Sequence, residues 1–250
     1  MYPILFKIGN LSFYSHGVLM VLGIVFAALI AYLISKKEDL DGDFLFNNIL
    51  YTVLFGIVGA RITYFILYPE QFNSLSQLIL LWEGGLVSYG GFVLGGLTVL
   101  IFLKIQKQPV LKWFDALAVG LPVGIFCARI GDIISGDYYN AANFTGLSSF
   151  RNGLPTPLYE AFLCLLVFAI ALIVALKKKK VFPGLVFFLT LLLYSGGRFI
   201  IDFWRNEEAI LWKLSFGQFF SLVIFLAALI TIILLLLKSR TKGEDYEIIS

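Results

Sequence analysis

Three arginines, Arg61, Arg129 and Arg198, stand inside long apolar runs with no lysine beside them. A guanidinium keeps its proton, and at membrane depth it costs roughly 3 kcal/mol on insertion scales and over ~10 on an isolated helix in simulation. An anion must therefore meet each of them. Two carry acids at helical spacing: Asp132 follows Arg129 by three residues, and Asp202 follows Arg198 by four, with Arg205 three further on. Residues so spaced share a helix face and hold one another's geometry. Such pairs either fasten helices together or hold an anion site in shape. The planar donor fork of arginine matches phosphate oxygens and stays charged in a low dielectric. Three arginines at one depth, beside glycine-rich and aromatic neighbours, favour the second reading: a phosphate-binding cluster.

The elements that must position them are membrane helices. The 250 residues are 60% hydrophobic and 14% charged, where a soluble domain carries about a quarter charged residues. The expected fold is an all-α integral membrane protein, a bundle of seven transmembrane helices. Apolar runs of spanning length fall at about 14–34, 46–67, 86–103, 114–136, 157–176, 182–204 and 216–237. The first is too long for a signal peptide, and its basic residues, Lys36 and Lys37, follow it rather than precede it. The third is crowded with Gly90, Gly91, Gly95 and Gly96, a density that signals close helix approach or a bend lining a cavity. Residues 1–238 read as a single catalytic domain and 239–250 as a disordered cytoplasmic tail.

The basic residues between spans are lopsided. One set of loops holds twelve, including Lys36, Lys37 and the Lys177–Lys180 run; the other holds Lys7, Arg151, Arg205 and Lys213. The positive-inside rule then puts the N-terminus outside and the C-terminus in the cytoplasm. In that topology the second, fourth and sixth spans rise toward the outside. At 1.5 Å per residue, Arg61, Arg129 and Arg198 lie about 10, 11 and 9 Å short of their outer ends. The long outer segments are 68–85 and 137–156, the latter a candidate lid.

Other polar residues collect at the same end: Tyr14 and His16 in the first span, Ser88 and Tyr89 in the third, Tyr159 and Glu160 in the fifth, and Tyr194 one turn before Arg198. The single histidine rules out a multi-histidine metal site, and neither a metal nor an organic cofactor is indicated. The net charge of +3 is too small to argue for nucleic acid. Cys127 and Cys164 lie within apolar runs and read as packing residues. From the residues alone, the chain offers a cavity open to the outer leaflet, lined by arginine, tyrosine and carboxylate, that takes an anionic lipid headgroup.

Several motifs then appear in order. Ala128-Arg-Ile-Gly-Asp-Ile-Ile-Ser-Gly-Asp137 resembles Gly-Arg-x-Gly-Asn-Phe-x-Asn-x-Glu, the signature of the prolipoprotein diacylglyceryl transferases. Trp82-Glu-Gly-Gly-Leu-Val-Ser-Tyr-Gly-Gly91 resembles that family's Trp-x-Gly-Gly segment ending in His-Gly-Gly, and Pro157-Leu-Tyr-Glu160 its Gln-Leu-Tyr-Glu. Tyr194-Ser-Gly-Gly-Arg-Phe-Ile-Ile-Asp-Phe-Trp-Arg205 resembles Tyr-x-x-x-Arg-Phe-x-x-Glu-x-x-Arg. Gly59-Ala-Arg61 and Phe216-Gly-Gln218 also fit, so the likeness spans nearly the whole chain.

The resemblance implies a transferase of the bacterial cytoplasmic (inner) membrane, its site facing the outer leaflet. It moves the diacylglyceryl group of phosphatidylglycerol onto the lipobox cysteine of prolipoprotein signal peptides and releases glycerol phosphate. Arg129 and Arg198 match the family's catalytic arginines; Tyr194, Asp137 and Asp202 fall at its tyrosine and two glutamates. Tyr89 falls where the family often has histidine, and Asp132 where it has asparagine. Arg129 and Arg198 are then expected to bind the phosphate, with Asp132, Asp137 and Asp202 holding them. Tyr89 or Tyr14 is expected to assist deprotonation or position the headgroup. Arg61, His16, Glu160, Gly90 and Gly91 complete the expected substrate site. Two other classes remain: an organic-anion transporter gated by Arg–Asp pairs, and a noncatalytic anionic-lipid-binding protein.

Overall fold

The computed structural model describes residues 2–9, 11–80, 84–136, 156–177, 182–204 and 214–241. Asp137, Arg205 and the segment expected to act as a lid lie outside the described residues. Among the described residues, seven helices are long and apolar enough to cross a membrane: α1 Ser15–Lys37, α2 Gly42–Leu67, α3 Ser88–Ile105, α4 Val110–Ser135, α5 Thr156–Leu176, α6 Leu185–Ile201 and α7 Phe216–Thr241. The chain is thus an all-α, multi-pass membrane protein. In lipid every backbone polar group needs a partner within the protein, and a continuous helix supplies it locally. Helix α7 continues to Thr241, into the segment expected to be tail.

One element goes beyond the all-helical expectation. Strands β1 Ile4–Ile8 and β2 Leu11–Tyr14 form an antiparallel hairpin, with Phe6 stacked on Phe13 at 4.6 Å between ring centroids. Gly9 turns with φ +59°, a conformation that glycine adopts without a Cβ penalty. Tyr2 N–H donates to the Ile134 carbonyl at 2.9 Å, and the Ser15 hydroxyl donates to the Tyr2 carbonyl. The hairpin therefore ties the start of α1 to the end of α4.

The helices gather into two compact units, one of residues 1–38 and 114–250, the other of residues 39–113. In the first unit a stripe of small residues lets α1 lie antiparallel along α4. A Cβ on Gly120 would press into the backbone of Ala27; on Gly124 it would stand 3.4 Å from the Gly23 carbonyl oxygen; on Gly131 it would stand 3.0 Å from the His16 Cα. Such close backbone approach is how helices pack in lipid, where burial against a neighbour gives little hydrophobic gain over burial in acyl chains.

At its other end α4 carries Asp115, whose carboxylate accepts from Gly184 N–H at 2.6 Å and Phe187 N–H at 2.8 Å. These are orphan donors at the start of α6, so an acid from a neighbouring helix caps them and meets the positive end of the helix dipole. Helix α7 is capped by its own sequence: Ser215 N–H donates to Gln218 Oε1 at 3.0 Å, and Gln218 N–H to Ser215 Oγ at 3.2 Å. That reciprocal pair is a capping box, and it gives Gln218 its place.

In the second unit α2 and α3 pack through glycines. A Cβ on Gly59 or Gly90 would collide with the facing backbone, and one on Gly91 would stand 3.2 Å from the Gly56 carbonyl oxygen. Gly90 and Gly91, expected in the substrate site, are fixed here by helix packing.

Candidate active site

Four helices of the first unit bring ionisable side chains to one end. His16 is in the first turn of α1, Arg129 and Asp132 are near the end of α4, Glu160 is in the second turn of α5, and Tyr194 and Arg198 are near the end of α6. Asp202 follows directly in a short 3-10 turn, Asp202–Trp204. Helices that alternate in direction put one helix's first turn beside its neighbour's last, and this is why residues so far apart in sequence share a layer.

Glu160 is the hub. Its Oε2 stands 2.6 Å from the Arg129 Nε as an ion pair and accepts from the Arg198 Nη1 at 3.2 Å. Two guanidiniums from different helices thus meet on one carboxylate oxygen, whose side chain has no exposed surface. Arg129 extends the chain of pairs in one direction: its Nη1 reaches Asp132 Oδ2 at 2.7 Å, and Asp132 Oδ1 lies 2.7 Å from His16 Nδ1. Arg198 extends it in the other, with Nη1 donating to the Tyr194 hydroxyl at 3.3 Å and Nε at 3.7 Å from Asp202 Oδ2. Asp202 is fully buried, whereas the His16 side chain is 33% exposed. The network runs from a closed end at Asp202 to an open end at His16.

Burying this much charge is favourable only where each ion is paired and hydrogen-bonded. Among the described residues two guanidiniums answer three carboxylates, and the His16 imidazole stands beside the last of them. The i,i+3 and i,i+4 pairs, Arg129–Asp132 and Arg198–Asp202, form as their spacing suggested. The link through Glu160 and the contact of Asp132 with His16 depend on how helices neighbour one another, which spacing along one helix does not encode.

Arg61 belongs to the second unit and has a different environment from the one expected of a lipid-binding residue. Its Nε donates to the Leu78 carbonyl at 3.3 Å, Nη1 to those of Gly84 and Gly85, and Nη2 to those of Gln77 at 2.6 Å and Leu80 at 3.1 Å. Five backbone acceptors match the five N–H groups of a guanidinium. Phe72 lies under the cation at 4.9 Å. Arg61 is 5% exposed and clasps the segment between α2 and α3. Tyr89 is the second residue of α3 and half-buried; Tyr14 ends β2 and is exposed.

The fold and the charged layer define a membrane-embedded helical protein in which two guanidiniums meet on one buried carboxylate. The particular family follows from comparison. The family model of prolipoprotein diacylglyceryl transferase matches residues 3–234. Similar proteins include the phosphatidylglycerol–prolipoprotein diacylglyceryl transferases of Streptococcus pyogenes serotypes M3 and M5, each 28% identical over 256 residues and covering 98% of both chains. The chain belongs to the prolipoprotein diacylglyceryl transferase family and is a transferase.

Proposed function

We propose that the chain transfers the diacylglyceryl group of phosphatidylglycerol to the lipobox cysteine of a prolipoprotein signal peptide and releases glycerol phosphate. The observation that carries this reading is the meeting of Arg129 and Arg198 on the buried Glu160 oxygen. Glu160 aims two donor forks at one region, close enough together for a single phosphate to reach both.

In the reaction the cysteine thiolate attacks the glycerol carbon that bears the phosphate ester. A carbon–sulfur bond forms, the carbon–oxygen bond breaks, and its electron pair leaves on the phosphate oxygen. Charge on the phosphate rises through that step, and fixed guanidiniums stabilise it without reorganising. Asp132 and Asp202 hold the two arginines from either side, and the Tyr194 hydroxyl fixes the Arg198 fork. Asp137 is proposed to assist them, and Tyr14 to contact the headgroup. Both substrates have apolar parts anchored in the bilayer and arrive laterally from the lipid. The distribution of lysine and arginine supports an outside N-terminus, which puts the layer toward the outer leaflet of the cytoplasmic membrane.

The experiment is reconstitution of the full chain in phosphatidylglycerol bilayers with a lipobox peptide, read by mass spectrometry of the peptide. The expected result is a diacylglyceryl adduct on cysteine that is absent when serine replaces it. Retention of phosphatidylglycerol without any adduct would leave a lipid-binding protein, and labelled anion appearing inside vesicles would leave a transporter. Either result overturns the proposal.

A further inference from the structure

We infer that the N-terminal hairpin is a membrane-surface element, one face of which rests in the headgroup zone of the leaflet nearest the charged layer. The inference is independent of the transfer reading above. From Phe6 onward the register sorts the side chains: Phe6 stands opposite Phe13 and Lys7 opposite Ser12, after a register shift between Ile4 and Phe6. Successive strand residues point to opposite faces, so Phe6, Ile8 and Phe13 share one face while Lys7 and Ser12 share the other. The stacked rings of Phe6 and Phe13 agree with that sorting. Phe6 is nevertheless 45% exposed and Ile8 64%, so the described protein leaves this apolar face largely open. A two-stranded hairpin is marginal in water without a surface to pack on.

The hairpin's place in the chain names that surface. Strand β2 ends at Tyr14 and α1 begins at Ser15, with no residue between them. At 1.5 Å per residue the 23 residues of α1 extend about 34 Å, a little more than the ~30 Å hydrocarbon core, which puts its first turn at the edge of that core. The apolar surface of α1 is itself open to lipid, with Val21, Val25, Leu29 and Leu33 exposed. Phe13 precedes Ser15 by two residues, about 7 Å of strand, and the headgroup zone on each side of the core is about 5–7 Å deep. Two backbone bonds hold the hairpin's base at the level of the helix ends: Tyr2 N–H donates to the Ile134 carbonyl and Ser15 N–H to the Pro3 carbonyl, each at 2.9 Å.

Hydrogen bonding sets the depth. A two-stranded sheet pairs only the row between its strands, and its outer edges carry N–H and C=O groups that hydrocarbon cannot satisfy. Headgroups and their water can. An element with one apolar and one polar face lies in the plane of that zone, with Lys7 on the face turned toward water and the anionic phosphates. Because the hairpin is bonded to α4 at Ile134, two residues after Asp132, its seat on the lipid also fixes the depth of the open end of the charged layer.

The test places a nitroxide at Phe6→Cys, Lys7→Cys or Ile8→Cys, one at a time, on the full chain in phosphatidylglycerol bilayers. Its collisions are measured with oxygen, which concentrates in lipid, and with a water-soluble nickel chelate. The parent is the control, since Cys127 and Cys164 are buried. All three labelled positions are exposed, so the labels displace no core. The labels at 6 and 8 are expected to favour oxygen over nickel several-fold more than the label at 7. Three labels equally open to nickel, three equally shielded from both reagents as a second copy would shield them, or a reversed pattern overturns the inference. An Ile8→Trp variant reads the same contact without a label: its emission, taken as the difference from the parent, is quenched by lipids brominated near the top of the acyl chain. Unquenched emission also overturns the inference.

Discussion

Replacing Glu160 by glutamine probes the centre of the charged layer with almost no change in volume. The side chain has no exposed surface, and its Oε2 pairs with Arg129 and accepts from Arg198. An amide keeps a carbonyl acceptor but loses the charge, which leaves two guanidiniums without their shared counterion. Breaking a buried ion pair from one side costs about 3–5 kcal/mol. For a chain of this size that is a fall in Tm of about 6–20 °C. The arginines would also turn toward Asp132 and Asp202, and a displacement of about 1 Å of a catalytic group lowers rate about 100-fold. Glu160→Asp should fall between. It keeps the charge but is a methylene shorter, and the looser contact, Arg198 at 3.2 Å, should be lost before Arg129 at 2.6 Å. The assays are thermal unfolding in detergent at a fixed scan rate and diacylglyceryl transfer to a lipobox peptide. A Glu160→Gln protein with unchanged Tm and unchanged rate would refute the view that this carboxylate organises the site.

Two further outcomes follow from neighbouring contacts. Arg61→Lys replaces five donors with at most three, removing two or more charge-assisted bonds worth about 3 kcal/mol together; amide exchange and proteolysis around 77–85 should rise, and unchanged protection would contradict the clasp. Asp115→Ala strips the acceptors from Gly184 and Phe187 N–H, a loss of about 1–2 kcal/mol visible as a Tm lower by about 2–8 °C, with Asp115→Asn less affected.

Much of this molecule can be read from its residues because lipid simplifies the problem. Spanning helices need only length and apolarity, and the seven expected runs agree with α1 to α7 to within a few residues. The acid partners at helical spacing were also visible, since Arg129–Asp132 and Arg198–Asp202 are local. The hairpin was not anticipated: its strands are five and four residues long, and Tyr14 was absorbed into the first apolar run. The Gly9 turn between two β-rich runs was the signal that could have found it. Arg61 shows a different limit. Its partners are backbone carbonyls, which any residue supplies, so no sequence pattern marks them. The Glu160 hub and the His16–Asp132 contact required the neighbour relations of α1, α4, α5 and α6. The glycines of α4 set part of that packing, yet nothing in their spacing names α1 as the partner.

The central claim is that Arg129 and Arg198 act together on one phosphate, and glycerol phosphate release measures it most directly. Purified chain in phosphatidylglycerol bilayers, given a lipobox peptide, should release glycerol phosphate in equal amount to the lipidated peptide and none without it. Arg129→Lys and Arg198→Lys keep the charge but lose the fork, and each should lower the rate by about 10²–10³-fold. The double variant should lose far less than the product of the two, because the pair works as a unit. Release at the parental rate in either lysine variant would contradict the account.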